Sequence, residues 1–525
     1  MNKFFERYDN MWGFICQKWA GVDKRIKVTF LSTFFWGLIA HIYMMTNKLP
    51  NHDDLYALDG YGMSSSLGRW TLARLGNFAM KVNVCFSLPW VNGLISILLI
   101  AVSACMVVSL FKIQSAGIGM LIGGLMVTLP AWTFTFFFMF TAPYYAIALI
   151  LSVACVWITD KYRFGWVAGM IFMIMAVGIY QSYIAMGSIL VVAFFIRMLI
   201  ENEKLSKEHY IKAVKMIVML VGAMAAYIAS LKLYETIPGH DLEEYKGISD
   251  IATGNGSMLS RLPERVGVIY AYFASLFIND RLEMTPYKTV NVLLALMFVI
   301  AVVLMIVLLK KNKCGIVNIV LAAICFILIP VCTLPLYLVV SDVNDVYSLM
   351  LYSVVGVYIF VLAVADMTGR DISLFSKCAE WFTEIACLII IVIYSFFANA
   401  QYLAADMSIR EAESYYTTMI TSIKMQEGYH DDMKVVIVGS TITDASVYEN
   451  EKMSFLANSA RPESLVNAYS RQKLMEDYLG FKNECVYATS EIAAGYASEL
   501  STMECYPDSG SIRIVNGDTV LVKLE

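Results

Sequence analysis

Two adjacent carboxylates and one arginine have the residue types and spacing that a reaction centre needs. Asp53 and Asp54 follow the first hydrophobic segment, in Asn51-His52-Asp53-Asp54-Leu55, and Arg69 follows one loop later in Gly68-Arg69-Trp70. A carboxylate can act as general base by taking the proton of a hydroxyl as its oxygen attacks. A second carboxylate can orient the first, or bind a divalent cation through oxygen ligands. The alternative is that both are ordinary solvated loop carboxylates.

Arg69 is a candidate phosphate contact, because a guanidinium makes paired hydrogen bonds to phosphate oxygens. A departing phosphate gains negative charge, so an arginine aimed at it would stabilise the transition state. The alternative is an interfacial arginine beside the membrane anchor Trp70. Weaker candidates for the same contact are Arg74, Arg261, Arg265 and Arg281.

Several other side chains could complete a site for a sugar. His52 could orient a carboxylate or ligate a metal ion, and Tyr56, Tyr144 and Tyr180 could stack on a sugar ring. Tyrosines also form the aromatic belt at membrane surfaces, which explains these three without a ligand. Gln181 lies in Tyr180-Gln181-Ser182-Tyr183, a tight turn that faces the same side as Asp53. Its amide is therefore a candidate substrate contact.

The composition is that of a polytopic membrane protein. Hydrophobic residues make up 59% of the 525 residues and charged residues only 16%, against about 25% charged in soluble domains. The net charge of −4 gives no indication of a nucleic-acid partner. Spans need roughly 20 apolar residues, and eleven candidates are predicted at about 28–46, 87–111, 116–138, 142–159, 164–181, 183–200, 213–234, 288–309, 315–340, 346–366 and 381–399.

The distribution of basic residues orients these spans, because cytoplasmic loops carry an excess of lysine and arginine. Lys24, Arg25 and Lys27 precede the first span and predict a cytoplasmic N-terminus. The loops that then fall in the cytoplasm hold Lys112, Lys161, Arg163, Lys204, Lys207, Lys212, Lys215, Lys310, Lys311, Lys313, Arg370 and Lys377. The opposite loops are acidic or mixed, so we expect Asp53 and Asp54 outside the cell, together with the C-terminus.

Three domains are predicted. Residues 1–27 form a cytoplasmic interfacial helix, and residues 28–399 form the transmembrane part, with large outer loops at 47–86 and 235–287. The first outer loop contains a short helix from Ser64 to Lys81, and the second ends in an interfacial helix from about Leu262. Residues 400–525 form a small extracytoplasmic α/β domain. It opens with a helical stretch, continues with a strand at 434–439, and closes with a hairpin around Asn516-Gly517, a strong turn signal.

At these motifs the chain resembles the bacterial type II glucosyl transferases, the Gtr group of the GT-C class. The resemblance rests on His52-Asp53-Asp54, on Gly68-Arg69-Trp70 and on the Tyr180–Tyr183 turn. It extends to Asn399–Tyr416 after the last span and to the tail that ends in a hairpin. The implied fold is a GT-C-like α-helical membrane protein with about eleven transmembrane helices and a small C-terminal extracytoplasmic α/β domain.

The resemblance also implies an activity. The donor would be a polyprenyl-phosphate sugar, with glucose as the sugar, and the acceptor a cell-surface glycan or its lipid-linked precursor. Transfer would occur in one displacement with inversion. Asp53 or Asp54 would be the base and Arg69 a phosphate contact, and which aspartate is the base stays open. No complete ligand set for a divalent cation is recognisable, so metal independence is the expectation.

Two other classes remain as alternatives. A transporter or flippase of lipid-linked sugars or polysaccharide would share the polytopic architecture. Ion-coupled transport needs charges within the membrane, whereas Lys232 and Asp366 lie near span ends. An assembly protein would work through its tail. The sequence contains no P-loop, GxSxG or HExxH motif. It therefore gives no indication of the enzyme classes that these motifs mark.

Overall fold

The N-terminal part contains two helices, and the second begins earlier than the predicted first span at 28–46. The structure, a computed structural model, describes residues 11–58, 65–82, 87–237, 242, 257–340, 342–368, 373–439 and 466–524. Helix α1 (Met11–Ala20) is separated from α2 (Lys24–Thr46) by a short break. Asp23 starts the second helix, because its carboxylate accepts the Arg25 N–H at 2.8 Å. The first ten residues of the predicted interfacial helix lie outside the described residues.

Helices make up most of the remaining chain. They are α3 (Trp70–Lys81), α4 (Pro89–Leu110), α5 (Ala116–Thr128), α6 (Pro130–Phe136), α7 (Ala142–Lys161), α8 (Gly165–Ile179), α9 (Tyr183–Glu201), α10 (Lys207–Glu235), α11 (Ser257–Ser275), α12 (Lys288–Lys311), α13 (Ile316–Thr333), α14 (Val355–Thr368) and α15 (Leu374–Lys424). Small residues allow close packing in this bundle. At Gly123, for example, a Cβ would lie 2.9 Å from the Thr29 carbonyl oxygen of α2.

The helices are those of a polytopic membrane protein. Within the described residues, nine helices are long and apolar enough to cross a membrane. One of them is α14 together with the 3₁₀ segment that precedes it, over Ser348–Thr368. The pair α5 and α6, bent by 41°, makes a tenth if it counts as one span. The bend follows from Pro130, which disfavours helical geometry at the residue before it. Helix α8 coincides with the fifth predicted span but has only 15 residues.

Two helix boundaries differ from the prediction. Helix α15 runs unbroken for 51 residues and so joins the predicted last span to the helical stretch that opens the tail. Its sequence contains no glycine or proline that would end it earlier. Helix α3 begins at Trp70 rather than near Ser64, because Gly68 adopts a φ of +71°. The helix predicted from Leu262 is present as α11, and the polar stretch before it lies largely outside the described residues.

The C-terminal part contains a four-stranded sheet. Its strands are β1 (Lys434–Val438), β2 (Cys485–Tyr487), β3 (Ile512–Val515) and β4 (Thr519–Lys523), in the order β2-β1-β4-β3. Strand β1 is parallel to both neighbours, while β3 and β4 pair antiparallel across Asn516-Gly517. Both turn residues have positive φ, +56° and +78°, as a type I′ turn requires. The predicted strand and hairpin are therefore confirmed.

Candidate active site

A cavity of about 680 Å³ lies at one end of the helix bundle. Its volume is in the range of small-molecule sites. The lining comes from seven separate parts of the chain: residues 51–56, 67–72, 138–145, 180, 272–283, 337–351 and 469. Each part lies in, or next to, a loop between helices that the distribution of lysine and arginine predicts to be extracytoplasmic.

The loops that are predicted to be cytoplasmic meet at the opposite end of the helix bundle. Lys212 Nζ lies 2.5 Å from Asp160 Oδ1, which joins two of these connections. The Asp366 carboxylate accepts the backbone N–H groups of Gln114 and Ser115 at 2.9 and 2.8 Å. The two sets of connections are thus segregated to the two ends, as alternating spans require.

The loop that carries the two aspartates is organised by Asn51. This side chain is buried, and its Oδ1 accepts the backbone N–H groups of Asp53 at 3.0 Å and Asp54 at 2.9 Å. Such an Asx turn fixes the backbone locally. It is followed directly by a 3₁₀ turn at Asp54–Leu58. As a result, the two neighbouring carboxylates have different environments.

Asp54 is a buried structural carboxylate. Its side chain lies 2.8 Å from Lys48 Nζ and accepts a 2.7 Å hydrogen bond from the Ser87 hydroxyl. It also accepts the backbone N–H of Phe140 at 3.2 Å. These contacts tie three separate segments together beside the cavity. The side chain does not line the cavity, so Asp54 is not positioned to meet a substrate there.

Asp53 lines the cavity, and its side chain is 47% exposed. His52 lines it as well, with Nε2 3.6 Å from Asp53 Oδ1. Burial raises the pKa of Tyr469, and the nearby Asp53 charge acts in the same direction. Burial likewise raises the pKa of Tyr347, with contributions from the charges of Asp345 and Asp53. Asp53, Tyr347 and Tyr469 all line the cavity.

A hydrogen-bonded network fixes the backbone before Arg69. The Gln181 amide donates to the Leu67 carbonyl at 2.8 Å and to the Tyr227 hydroxyl at 3.0 Å. The Tyr227 hydroxyl in turn donates to the Gly68 carbonyl at 3.1 Å. Gly68 has a φ of +71°, and a Cβ there would lie 2.6 Å from the Tyr227 hydroxyl. Only glycine fits this left-handed position without strain.

Arg69 lies at the cavity wall over an aromatic pair. Its guanidinium carbon is 4.8 Å from the centre of the Tyr180 ring, within cation–π range. Tyr180 stacks on Tyr145 with ring centres 4.7 Å apart, and both rings line the cavity. The basic residue and the exposed carboxylate share one cavity, which Tyr145 also lines.

A comparison with known families identifies the family of this chain. The family model described as Glucosyl transferase GtrII matches residues 42–362, more than half of the chain. The chain belongs to the GtrII glucosyl transferase family. The resemblance inferred from the sequence motifs is thus confirmed, and a glycosyltransferase function is supported. No curated protein and no solved structure gives a match.

In this GtrII family member, the matched region includes Asp53, Arg69 and every other lining residue except Tyr469. The lining also includes Arg281 and Glu283, which lie in the connection between α11 and α12. The Ser348 hydroxyl donates to Glu283 Oε2 at 2.5 Å. Tyr272 and Tyr337 stack there with ring centres 4.8 Å apart. Glu283 is the second carboxylate on the lining within the described residues.

The predicted site residues divide into two groups. The cavity lining includes His52, Asp53, Tyr56, Arg69 and Tyr180. The other predicted residues are not on it: Asp54, Tyr144, Gln181, Arg261 and Arg265. Gln181 lies behind the lining, where its amide holds the loop before Arg69. Both Arg261 and Arg265 lie on α11, outside the lining.

The structure also adds residues to the site. Arg281 was only a weaker candidate in the sequence, and nothing local marked Glu283, Tyr347 or Tyr469. An arginine and a glutamate two residues apart are common at surfaces, so their arrival at the cavity depends on tertiary structure. In the described part of the chain, no three histidine, cysteine, aspartate or glutamate side chains are grouped as a metal site.

Proposed function

We propose that this protein transfers glucose from a polyprenyl-phosphate donor to a cell-surface glycan or its lipid-linked precursor. Transfer takes place on the outer face of the cell membrane and inverts the anomeric centre. One observation carries the proposal: an exposed aspartate, Asp53, and an arginine, Arg69, line the same cavity in a glucosyl transferase family member.

In the proposed reaction, an acceptor hydroxyl attacks the anomeric carbon of the donor. A new carbon–oxygen bond forms there as the bond to the phosphate oxygen breaks, and polyprenyl phosphate leaves with the electron pair. The hydroxyl proton goes to the Asp53 carboxylate, which raises the nucleophilicity of the attacking oxygen. Arg69 contacts the phosphate and stabilises the charge that it gains. Asp54 has no step, because its oxygens are occupied by Lys48 and Ser87.

The mixed character of the lining supports a lipid-linked donor. Apolar side chains, among them Leu72, Phe138 and Leu351, share the cavity with charged ones. A sugar phosphate needs polar and charged partners, and an isoprenoid chain needs apolar surface. The cavity lies where the helix bundle ends, so the chain of a donor could stay in the bilayer while its head enters the site.

We also propose the complete topology, with eleven crossings, a cytoplasmic N-terminus and an extracytoplasmic C-terminal domain. This topology is supported by the positions of the loops, which lie at the two ends of the bundle. The loops before and after the short helix α8 lie at different ends, so α8 must cross the membrane as its neighbours do. Helix α8 spans about 22 Å at 1.5 Å per residue, less than the usual 30 Å. Its turn at Tyr180–Ser182 would therefore lie below the outer surface, next to Arg69.

The experiment is sugar transfer by purified, reconstituted protein. Labelled polyprenyl-phosphate glucose is the donor, and cell envelopes that lack this protein supply the acceptor. Wild type should move label into glycan, and Asp53→Asn should lower the rate by about 10²-fold or more. Asp432→Asn, an exposed aspartate outside the lining, is the matched control and should retain the wild-type rate.

The possible outcomes separate the claims. Transfer by wild type and by Asp432→Asn, with loss in Asp53→Asn, supports both the reaction and the base. Equal rates in all three proteins remove Asp53 from the mechanism. A wild type that binds donor but returns no labelled product contradicts the proposed transfer.

A further inference from the structure

One wall of the cavity comes from a part of the chain outside the family match. Tyr469 lines the cavity together with Asp53 and Tyr56, whereas the matched region ends at residue 362. Tyr56 and Tyr469 are 413 residues apart in sequence. We call residues 466–473 the tail wall. Its position shows that the candidate site is built from the C-terminal part as well as from the transmembrane part.

Specific contacts hold the tail wall against the aspartate loop. The rings of Tyr56 and Tyr469 stack with centres 4.5 Å apart at an angle of 26°. The Tyr56 hydroxyl donates to the Tyr469 carbonyl at 2.8 Å and accepts from the Gln472 amide at 2.7 Å. Lys473 Nζ lies 5.8 Å from the centre of the Tyr56 ring. These four contacts fix the ring of Tyr469 relative to the loop that carries Asp53.

The tail wall is also anchored to the sheet. The Asn467 side chain accepts the backbone N–H groups of Tyr469 and Ser470, both at 3.0 Å. Arg471 is buried and donates to the carbonyl groups of Ile437, on β1, and Gly439 just beyond it. An arginine held by two backbone carbonyls fixes the turn that carries Tyr469. The ring is thus preorganised from both sides, which reduces the entropy lost on binding a ligand.

Tyr469 nevertheless keeps much of its surface available. The residue is 47% exposed, although one face of its ring is covered by Tyr56. Its contact with Tyr56, three residues after Asp53 in the same loop, places the ring on the aspartate side of the cavity. Asp53, Tyr145 and Tyr469 all line this cavity.

An inverting displacement requires the acceptor to approach from the side opposite to the leaving phosphate. With the phosphate at Arg69 and the base at Asp53, the acceptor belongs next to Asp53 and away from Arg69. The ring of Tyr469 offers a flat, electron-rich face that Tyr56 leaves uncovered, in the same cavity as Asp53. Pyranose rings present a face of C–H groups, and such positively polarised hydrogens are attracted to the face of an aromatic ring.

We propose that Tyr469 is the platform on which the sugar ring of the acceptor stacks. This inference rests on the proposed function. It assigns acceptor binding to a residue outside the family-matched region, and it names the acceptor group as a pyranose with an apolar face. Tyr56 supports the platform from behind, and the Gln472 amide holds Tyr56 in place.

The test compares transfer with donor binding in Tyr469→Ala and Tyr469→Phe. Transfer is measured with labelled polyprenyl-phosphate glucose and cell envelopes that lack this protein, while the amount of envelope is varied. Donor binding is measured separately on the purified protein. Tyr469→Ala should need at least tenfold more envelope for half-maximal transfer and should bind donor within twofold of wild type. Tyr469→Phe keeps the aromatic face and should stay within about threefold of wild type in both measurements.

A matched control separates stacking from a general effect of losing an exposed tyrosine. Tyr210 is 49% exposed and lies on α10, away from this cavity, so Tyr210→Ala should behave as wild type. If Tyr469→Ala needs the same amount of envelope as wild type for half-maximal transfer, the platform is overturned. Transfer by wild type would still support the proposed function. Loss of donor binding in Tyr469→Ala also overturns it, because the residue would then serve the donor or the fold. Absence of transfer by wild type contradicts the proposed function itself, and the platform with it.

Discussion

The Asp54 carboxylate accepts a 2.8 Å hydrogen bond from Lys48 Nζ, while the carboxylate of its neighbour Asp53 lines the cavity. The Asn51 side chain accepts the backbone N–H groups of Asp53 and Asp54 and so fixes the different directions of their side chains. One aspartate therefore maintains the architecture of the site and the other is available for chemistry. The two substitutions should have separable effects, one on stability and one on rate.

Asp54→Asn should destabilise the protein. The substitution removes the charge that faces Lys48 and weakens the bonds from Ser87 and Phe140. A hydrogen bond to a charged group contributes about 1.5–3 kcal/mol, so the melting temperature in detergent should fall. Asp53→Asn should leave it unchanged, because that side chain is half-exposed. Loss of transfer in Asp54→Asn at an unchanged melting temperature would instead identify Asp54 as the base.

Arg69→Lys should lower the transfer rate by about 10²-fold, although the positive charge is retained. A lysine cannot make the paired hydrogen bonds of a guanidinium, and loss of one donor to a developing anion lowers kcat by about 10²–10³-fold. Arg261→Gln is the control, because Arg261 is exposed and outside the lining. It should transfer at the wild-type rate. A wild-type rate in Arg69→Lys would mean that Arg69 acts only through its charge, and equal losses in both variants would mean that the effect is not specific to the cavity.

Gly68→Ala should reduce both stability and transfer. The new Cβ would lie 2.6 Å from the Tyr227 hydroxyl and 3.1 Å from Gln181 Nε2, at a φ of +71°. Such strain costs about 1–3 kcal/mol, and the shift would displace the adjacent Arg69. Gly267→Ala is the matched control, since a Cβ there meets nothing within 4 Å. Wild-type activity in Gly68→Ala would show that the network around Gln181 does not position Arg69.

Transfer should persist when divalent cations are removed. In the proposed reaction, the positive charge that faces the donor phosphate comes from Arg69, so a cation is not required for that role. We therefore expect most of the wild-type rate to remain after treatment with EDTA. The rate is measured before chelation, after it, and after addition of excess Mg²⁺. Loss with EDTA and recovery with Mg²⁺ would show that a cation, held in part by the donor phosphate, is required.

The fold follows from local signals to a large extent. Apolar length predicted the positions of the membrane-length helices that the structure describes. Amphipathic spacing predicted α11, and Asn516-Gly517 predicted the hairpin, because all of these signals depend on neighbouring residues. The boundaries were harder to predict. Helix α3 starts late because of the left-handed Gly68, whose conformation is held by Tyr227, 159 residues away. Helix α15 continues because nothing in its sequence stops it, although its surroundings change from apolar to polar.

The sequence predicted only those site residues that lie in short contiguous motifs. The motif around Asp53 and the motif around Arg69 are each contiguous, and both reach the cavity. The different environments of Asp53 and Asp54 depend on Ser87 and Phe140, which the sequence does not link to them. Tyr469 is 413 residues from its stacking partner, and no periodicity or motif connects the two. Tertiary contacts of this kind are not encoded in any short stretch.

Asp280→Asn should stabilise the protein above mildly acidic pH. Asp280 lies between α11 and α12, has a φ of +43°, and accepts the Met284 N–H at 2.9 Å. Burial raises the pKa of Asp280, and the charge of Glu283 adds to this effect. The folded state then binds the proton more tightly than the unfolded state, so this residue's contribution to stability falls as pH rises above about 3.9. Asparagine carries no charge, keeps an acceptor oxygen and favours left-handed φ.

The melting temperature of Asp280→Asn should exceed that of wild type at pH 8, and the difference should shrink toward pH 4. Asp508→Asn, which changes an exposed aspartate, should show no such trend. A difference that stays constant with pH would assign the gain to backbone conformation and not to the buried charge.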